Sequence, residues 1–120
     1  MHRTLVALAV VAVMGSAVSL VAQNPPGYIV ATVTITDQEA YGAYRAGVGA
    51  VISEHGGELI AASSNPTVLE GEWEATTTVI LRFDSPAKAL AWYNSDAYQE
   101  LVRIRQTAAN SDFVMLEGRP

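Results

Sequence analysis

The chain has 120 residues and is 50% hydrophobic, which suits a single domain with one core. Twelve acidic residues against seven basic ones give a formal net charge of −5, and the lack of a basic stripe argues against nucleic acid or anionic membranes as partners. The chain has no cysteine, which excludes disulfide and thiolate chemistry, and its two histidines are too few for a conventional zinc site. We therefore expect neither a bound metal nor a cofactor.

Residues 1–22 have the features of a secretory signal peptide. A basic start at Arg3 is followed by an apolar run over residues 4–14, and residues 17–19 show the small-x-small pattern of a cleavage site. Residues 5–22 are also just long enough to span a bilayer, so an uncleaved N-terminal anchor stays open as the alternative. We expect a bacterial periplasmic or secreted protein that contacts a membrane only if this segment is retained.

Residues 23–27 hold two prolines and a glycine and are predicted to be a linker, so the folded domain is expected over residues 28–118. The first strand is predicted over residues 28–36, which are rich in β-branched residues. One of its faces is wholly apolar and should meet helices, while the other is mixed and suits contact with a second sheet. The apolar face carries Ile29, Ala31, Val33 and Ile35.

A helix is predicted from Gln38 to Glu54, because Asp37 can cap its first turn and Gly56 can end it in the left-handed conformation. The helical spacing places six residues on one face of this helix, and most of them are aromatic or apolar. The six are Tyr41, Tyr44, Val48, Val51, Ile52 and His55.

Three further strands are predicted, over residues 58–62, 76–83 and 113–116. In the strand over residues 76–83, successive side chains alternate between an apolar face, which should pack against the helices, and a mixed face. The apolar face carries Val79, Leu81 and Phe83, and the mixed face carries Thr78, Ile80 and Arg82. Residues 70–74 contain three alternating glutamates, which we interpret as a solvated acidic edge rather than a cation site.

The stretch over residues 85–105 opens with a helix start signal, Ser85 followed by Pro86. Ser95 is a second candidate cap, so two short helices are expected with a break beside it. The second helix presents one continuous face, formed by Tyr98, Leu101, Val102 and Arg105. The arginine is the most informative of these residues, because a charge is rarely buried without a partner.

The predicted order β-α-β-β-α-β is the ferredoxin-like topology, an α+β fold. Four antiparallel strands form one sheet with both helices on one face, and the other face stays open. The open face carries Val30, Thr32, Thr78 and Ile80, which make it half apolar. We therefore expect a homodimer that packs sheet against sheet into an α/β barrel.

Residues 27–118 resemble the bacterial family known as domain of unknown function 1330, of the dimeric α/β-barrel superfamily. The matching residues are Gly27-Tyr28, Asp37, Tyr41, Tyr44, Gly56-Gly57, Leu69-Glu70-Gly71-Glu72-Trp73, Val79, Phe83, Trp92-Tyr93, Ser95, Tyr98, Arg105 and Gly118. The chain departs from the family at Glu58 and over residues 74–76, where a basic residue is usual, which argues against carrying over an anionic ligand. The resemblance implies the dimeric fold but no settled activity. Relatives in the superfamily include cofactor-free monooxygenases, muconolactone isomerases and haem enzymes, so the fold does not select a reaction.

Arg105 and Tyr98 are the first candidate site residues. The guanidinium could hold a carboxylate or enolate of a small ligand, with the Tyr98 hydroxyl completing the pocket. The alternative is a structural ion pair between Arg105 and either Glu70 or Asp96. The sequence leaves both open.

Four other side chains are candidates. Tyr44 and Trp92 could line an apolar pocket, although ordinary core packing is the alternative. His55 and Glu70 could move a proton, although His55 also suits a helix end and Glu70 the acidic edge.

The leading hypothesis is that the domain binds, or converts without a cofactor, a small anionic or carbonyl compound in a pocket between helices and sheet. The alternative is a non-catalytic module whose dimer surface is its function. The sequence does not decide whether the protein is an enzyme.

Overall fold

The computed structural model describes residues 25–120. The predicted signal peptide over residues 1–22 lies outside the described residues, as do the first two residues of the predicted linker. Within residues 25–120, no helix is both long and apolar enough to cross a membrane.

Four strands and three helices make up the described chain. In order they are β1 (Gly27–Ile35), α1 (Gln38–Glu54), β2 (Glu58–Ser63), β3 (Thr77–Phe83), α2 (Pro86–Asn94), α3 (Asp96–Ala108) and β4 (Ala109–Glu117). The strands form one antiparallel sheet in the order β2-β3-β1-β4. This is the predicted ferredoxin-like fold, with its second helical segment divided into α2 and α3.

The core lies between the helices and the apolar face of the sheet. In the central strand β1, Ile29, Ala31 and Val33 are all buried, as the alternation predicted. Ile29 pairs with Leu81 of β3 and with Met115 of β4, so the apolar rows of three strands are aligned. This alignment gives the helices a continuous apolar floor.

Side-chain caps fix where the helices begin. Asp37 accepts a hydrogen bond from the backbone N–H of Ala40 at 3.0 Å, and Ser85 does the same for Lys88 at 3.1 Å. Ser95 accepts from the N–H of Tyr98 at 3.2 Å and donates its hydroxyl to the carbonyl of Trp92 at 2.7 Å. One serine therefore ends α2 and starts α3, as its position in the sequence predicted.

Strand β4 is four residues longer at its start than predicted. The polar residues Asn110, Ser111 and Asp112 are paired with β1 in register, although their side chains suggested a loop. β4 is an edge strand, and backbone pairing at an edge does not require apolar side chains. The extension matters because it brings Ser111 beside α3.

The sheet face opposite the helices is largely uncovered, and we call it the open sheet face. It carries Tyr28, Val30, Thr32, Thr78, Ile80, Val114 and Leu116. Val30 pairs with Ile80 on one side and with Val114 on the other, so an apolar row crosses three strands. Val114 is 53% exposed and Leu116 is 52% exposed.

Helix α1 packs mainly on α3 and stands off from β2 and β3. A glycine at position 47 allows this close approach, because a Cβ there would lie only 3.0 Å from Cδ2 of Leu101. With α1 held against α3, a gap remains between α1 and the far half of the sheet. The candidate site occupies this gap.

Candidate ligand-binding site

A cavity of about 750 Å³ lies between α1 and the sheet, which is within the range of small-molecule sites. Strands β1 and β3 form its floor through Ile29, Ala31, Val33, Val79 and Leu81. Helix α1 forms its roof through Tyr41, Tyr44, Val48 and Ile52, and Trp92 and Phe113 also line it. The charged side chains in the lining, Arg45 and Glu58, belong to exposed residues, so the interior is apolar.

Trp92 lines this cavity and carries a hydrogen-bond donor that is unpaired. The residue is fully buried, with its ring centroid 3.9 Å from that of Tyr98 and 5.6 Å from that of Phe83. Its Nε1 is buried and has no hydrogen-bond partner among the described residues. Leaving a buried donor unpaired costs about 1–3 kcal/mol, so this N–H is a ready partner for a ligand oxygen.

Two buried tyrosine hydroxyls meet beside the cavity. The hydroxyl of Tyr44 on α1 lies 2.7 Å from that of Tyr98 on α3, and both residues are buried. Burial raises the pKa of Tyr44 well above its ordinary value of 10.0, and the neighbouring Tyr98 raises it further. Burial also raises the pKa of Tyr98. Both hydroxyls are therefore neutral at ordinary pH.

Arg105 is the buried charge that the sequence singled out, and it is only 4% exposed. Its guanidinium donates to the hydroxyl oxygen of Ser111, while its Nε has no partner among the described residues. The guanidinium carbon lies 4.3 Å from the ring centroid of Phe113 and 5.8 Å from that of Tyr44. Cation–π contacts therefore offset part of the cost of burying this charge.

The ion pair considered for Arg105 is not formed. Over residues 25–120, the ion pairs are those of Asp84 with Arg82 and with Lys88. Neither Glu70 nor Asp96 is therefore within 4.0 Å of the guanidinium. Glu70 is instead an exposed residue of the loop between β2 and β3, so it is not a buried counter-charge.

The structure separates the four residues predicted to bind a ligand. Tyr44 and Trp92 line the large cavity, whereas Tyr98 is packed behind them. Arg105 faces a second, polar groove of about 510 Å³ beside β4. Phe113 lines both spaces.

The two candidate proton-transfer residues lie outside both spaces. His55 caps the end of α1, where its Nδ1–H donates to the carbonyl of Val51 at 2.8 Å. This geometry agrees with the helix-end alternative. Glu70 lines neither the cavity nor the groove. No three His, Asp or Glu side chains between residues 25 and 120 are arranged to hold a metal ion.

Sequence reasoning missed Ser111 and Phe113 as neighbours of Arg105. Ser111 was expected in a connection and Phe113 at the start of the last strand. The available signal was their spacing of two residues, which places both side chains on the helix-facing side once β4 is extended backwards. The polar run before Phe113 hid that extension.

Comparison with protein families shows which family the chain belongs to. Residues 26–119 match the family described as a domain of unknown function (DUF1330). The chain belongs to this family. The match includes every strand and helix described above, from Gly27 to Glu117. A search of curated proteins found no match.

Solved structures share the ferredoxin-like fold of this chain. A protein of unknown function from Rhodopseudomonas palustris is 22% identical, with a TM-score of 0.67 over 81% of this chain and 85% of that one. SnoaB, a cofactor-independent oxygenase from Streptomyces nogalater, is 10% identical, with a TM-score of 0.56. The match covers 80% of this chain and 95% of SnoaB. A dimeric ferredoxin-like protein of unknown function from Thermobifida fusca is 10% identical, with a TM-score of 0.57. The match covers 82% of this chain and 95% of that protein. Likenesses at this identity establish the fold and leave the chemistry open.

Proposed function

We propose that the domain binds a small, mostly apolar organic molecule through a carbonyl or hydroxyl oxygen in the cavity between α1 and the sheet. The observation that carries this proposal is the buried, unpaired Nε1–H of Trp92, a residue that lines an apolar cavity of ligand size. Sites of this kind combine apolar walls with a few polar groups that fix orientation. A ligand oxygen would supply the acceptor that the protein lacks.

The ligand we propose enters without a formal negative charge. The sequence left anionic and carbonyl compounds open, with Arg105 as the anchor for either. Arg105 is not among the residues that line the cavity, and Arg45 lies on an exposed turn of α1. A carboxylate in the apolar interior would lose its hydration with no buried cation to replace it, because Arg45, the arginine in the lining, is exposed. This loss costs several kcal/mol.

Cofactor-independent conversion of the bound molecule is the second candidate. It is favoured by the pair of tyrosine hydroxyls beside the cavity and by the fold shared with SnoaB, itself a cofactor-independent oxygenase. His55 and Glu70 have no part in this proposal, because neither reaches the cavity. Oxygen consumption with dihydroquinone substrates would test it.

A matched pair of variants tests ligand binding. A Cβ at either Gly42 or Gly49 of α1 meets nothing within 4 Å, but only Gly49 lines the cavity. Gly49→Leu should partly fill the cavity mouth, and both Gly49→Leu and Gly42→Leu should gain helix propensity to a similar degree. The probe is 1,4-naphthoquinone, which meets no cysteine in this chain.

We expect 1,4-naphthoquinone to raise the melting temperature of the wild type and of Gly42→Leu by several degrees when it is well above its Kd. Gly49→Leu should show a much smaller rise. Benzoate, which is also aromatic but carries a negative charge, should have little effect on any of the three proteins. Equal responses of the two leucine variants would contradict binding in this cavity.

We also propose that the chain forms a homodimer through the open sheet face. The apolar row of Val30, Ile80 and Val114 supports this, as do the dimeric structural neighbours. Val114→Lys should convert the dimer to a monomer in sedimentation analysis. Ala91→Lys, at an exposed position of α2, is the matched control and should remain dimeric. A wild-type monomer at micromolar concentration would contradict the proposal.

Export is a further proposal, based on residues 1–22 alone. If the segment is a cleaved signal, the mass of the protein recovered from the periplasm or medium should show a start after residue 19 or 22. Recovery of the intact chain in the membrane fraction would support the anchor instead. Recovery of the intact chain in the cytoplasm would contradict export.

A further inference from the structure

Arg105 is a buried cation without a negative partner in the described chain. It is only 4% exposed, and no carboxylate between residues 25 and 120 lies within 4.0 Å of its guanidinium. Partial compensation comes from the rings of Phe113 and Tyr44 and from the hydroxyl of Ser111. The last turn of α3, where the residue lies, also favours a cation through the helix dipole. None of these supplies the formal negative charge with which a buried cation is normally paired.

The hydrogen bonding of the guanidinium is also incomplete. An arginine carries five N–H donors and no acceptor. Between residues 25 and 120, Nη1 of Arg105 donates to Ser111, whereas Nε is buried and has no partner. A buried donor without an acceptor is costly, so the guanidinium gains from any acceptor that reaches it.

The polar groove beside β4 gives a small molecule access to Arg105. Its volume of about 510 Å³ is within the range of small-molecule sites. The groove follows edge strand β4 past the last turn of α3, and its lining on the helix side is part aromatic and part polar. This part of the lining is formed by Tyr93, Arg105, Gln106, Ser111 and Phe113.

Ser111 adds a second donor to the groove. Because a guanidinium only donates, the Ser111 oxygen must accept from Arg105, and the Ser111 hydroxyl proton is left to donate elsewhere. Both residues line the groove. A cationic donor and a hydroxyl donor therefore stand side by side, which suits the two oxygens of a carboxylate.

The acidic residue in the lining, Asp112, lies on the other side of β4. It is exposed and pairs with Thr32 of β1. Because successive side chains of a strand point to opposite faces, Asp112 is on the open sheet face while Ser111 is on the helix side. The helix side of the groove thus holds a cation and no anion among the described residues.

We infer that the helix side of the polar groove is a second binding site, which takes a small hydrophilic carboxylate, with hydroxy acids as the preferred class. The carboxylate contacts Arg105 and Ser111. The amide of Gln106 and the hydroxyl of Tyr93 are the groups in the lining that can bond the hydroxyl of the ligand. The inference is independent of the proposed function, because Arg105 is not among the residues that line the cavity.

An NMR titration with glycolate, at an ionic strength held constant with sodium chloride, tests this site. We expect glycolate to shift the Nε–H signal of Arg105 and the backbone amide signal of Ser111 until both saturate. Acetate lacks the hydroxyl and should bind several-fold more weakly. Benzoate should also bind more weakly than glycolate, because its ring would displace water from polar groups without replacing their hydrogen bonds. Acetate binding as tightly as glycolate would overturn the preference for hydroxy acids.

Two arginines of α3 provide a matched pair of variants. Arg105→Met and Arg103→Met each remove one positive charge from the helix, but Arg103 is exposed. Arg105→Met should weaken glycolate binding about tenfold or more, since it removes a charged hydrogen-bond donor. Arg103→Met should leave the affinity nearly unchanged. The Ser111 amide signal reports binding in both variants.

A second pair keeps the test decisive if Arg105→Met fails to fold. Ser111 and Ser63 are partly buried serines on the two edge strands, and only Ser111 lines the groove. Ser111→Ala should weaken glycolate binding about fivefold, as the loss of one hydrogen bond predicts. Ser63→Ala should bind as the wild type does. The Nε–H signal of Arg105 reports binding here.

Two results would overturn the inference. One is the absence of a saturable shift at Arg105 and Ser111 in the wild type. The other is equal weakening within a pair of variants, which would show that glycolate responds to the charge or the fold of the whole domain. Either result leaves the cavity untouched, because its test uses a neutral probe. Failure of 1,4-naphthoquinone to bind would in turn leave the carboxylate site standing.

Discussion

The two sides of α1 are packed differently. On the side that faces α3, Gly47 brings Leu101 into close contact and Tyr44 reaches Tyr98. On the side that faces β2 and β3, the helix stands off from the sheet and leaves the cavity. The tight side anchors the helix, so the loose side cannot collapse onto the sheet. A close-packed contact in one place thus preserves an apolar space in another.

The largest contrast is expected between Trp92 and Leu59, which both line the cavity. Trp92 is fully buried in the core, and Trp92→Ala should cost about 3–5 kcal/mol of the free energy of unfolding. Leu59 is 58% exposed on edge strand β2, and Leu59→Ala should change stability by less than about 0.5 kcal/mol. Urea unfolding of both variants measures the contrast, and similar losses would show that the cavity rim is as well packed as its deep end.

Alkaline pH should weaken the tight side. Burial raises the pKa of Tyr44 and Tyr98 above the unfolded value of 10.0, so the folded state keeps protons that the unfolded state has already lost. Stability is therefore complete below about pH 10 and falls as the pH rises above it, by up to about 1.4 kcal/mol per pH unit for each tyrosine. Tyr44→Phe should show a shallower fall in denaturant unfolding from pH 9 to 11. If Tyr44→Phe and the wild type lose stability equally between pH 9 and 11, the loss at alkaline pH does not come from Tyr44.

Gly47 and Gly49 of α1 should respond differently to a methyl group. Gly49→Ala should stabilise the protein by about 1 kcal/mol, because its Cβ meets no atom and alanine favours the helix. Gly47→Ala gains the same propensity but places a methyl 3.0 Å from Leu101, so its net effect should be near zero or destabilising. Thermal unfolding of the two variants separates the tight side from the loose side, and equal gains would refute the distinction.

Tyr98→Phe should have a modest effect on stability. The ring packing stays, but the buried Tyr44 hydroxyl loses its partner, which should cost about 1–3 kcal/mol. Chemical unfolding against the wild type checks this value. A loss above about 3 kcal/mol would mean that the hydroxyl pair is a main support of the fold rather than a polar feature of the site.

Periodicity predicted most of the fold. The apolar face of β1, the bounds of α1 and the break at Ser95 all follow from local spacing and capping, which a single sequence displays. The inward position of Arg105 also followed, because residues at spacings of three, four and seven share a helical face.

The site itself was only partly visible in the sequence. Tyr44 and Trp92 were identified as candidate pocket residues, and both line the cavity. The cavity exists because Gly47 draws α1 toward α3, and such a long-range contact leaves no periodic signal. Ser111 was missed because a polar edge strand resembles a loop. Arg105 is separated from the cavity because it lines the polar groove beside β4, and this is a tertiary relation that a single sequence does not display.

The proposed contact between a ligand oxygen and Trp92 can be tested directly, because the chain has two tryptophans. The indole N–H of Trp73 is already bonded to the hydroxyl of Thr78 at 2.8 Å, whereas that of Trp92 is unpaired. In a nitrogen–proton NMR titration with 1,4-naphthoquinone, we expect the Trp92 indole signal to move to lower field while the Trp73 signal stays in place. A fixed Trp92 signal at saturating probe, or a change confined to Trp73, would contradict it.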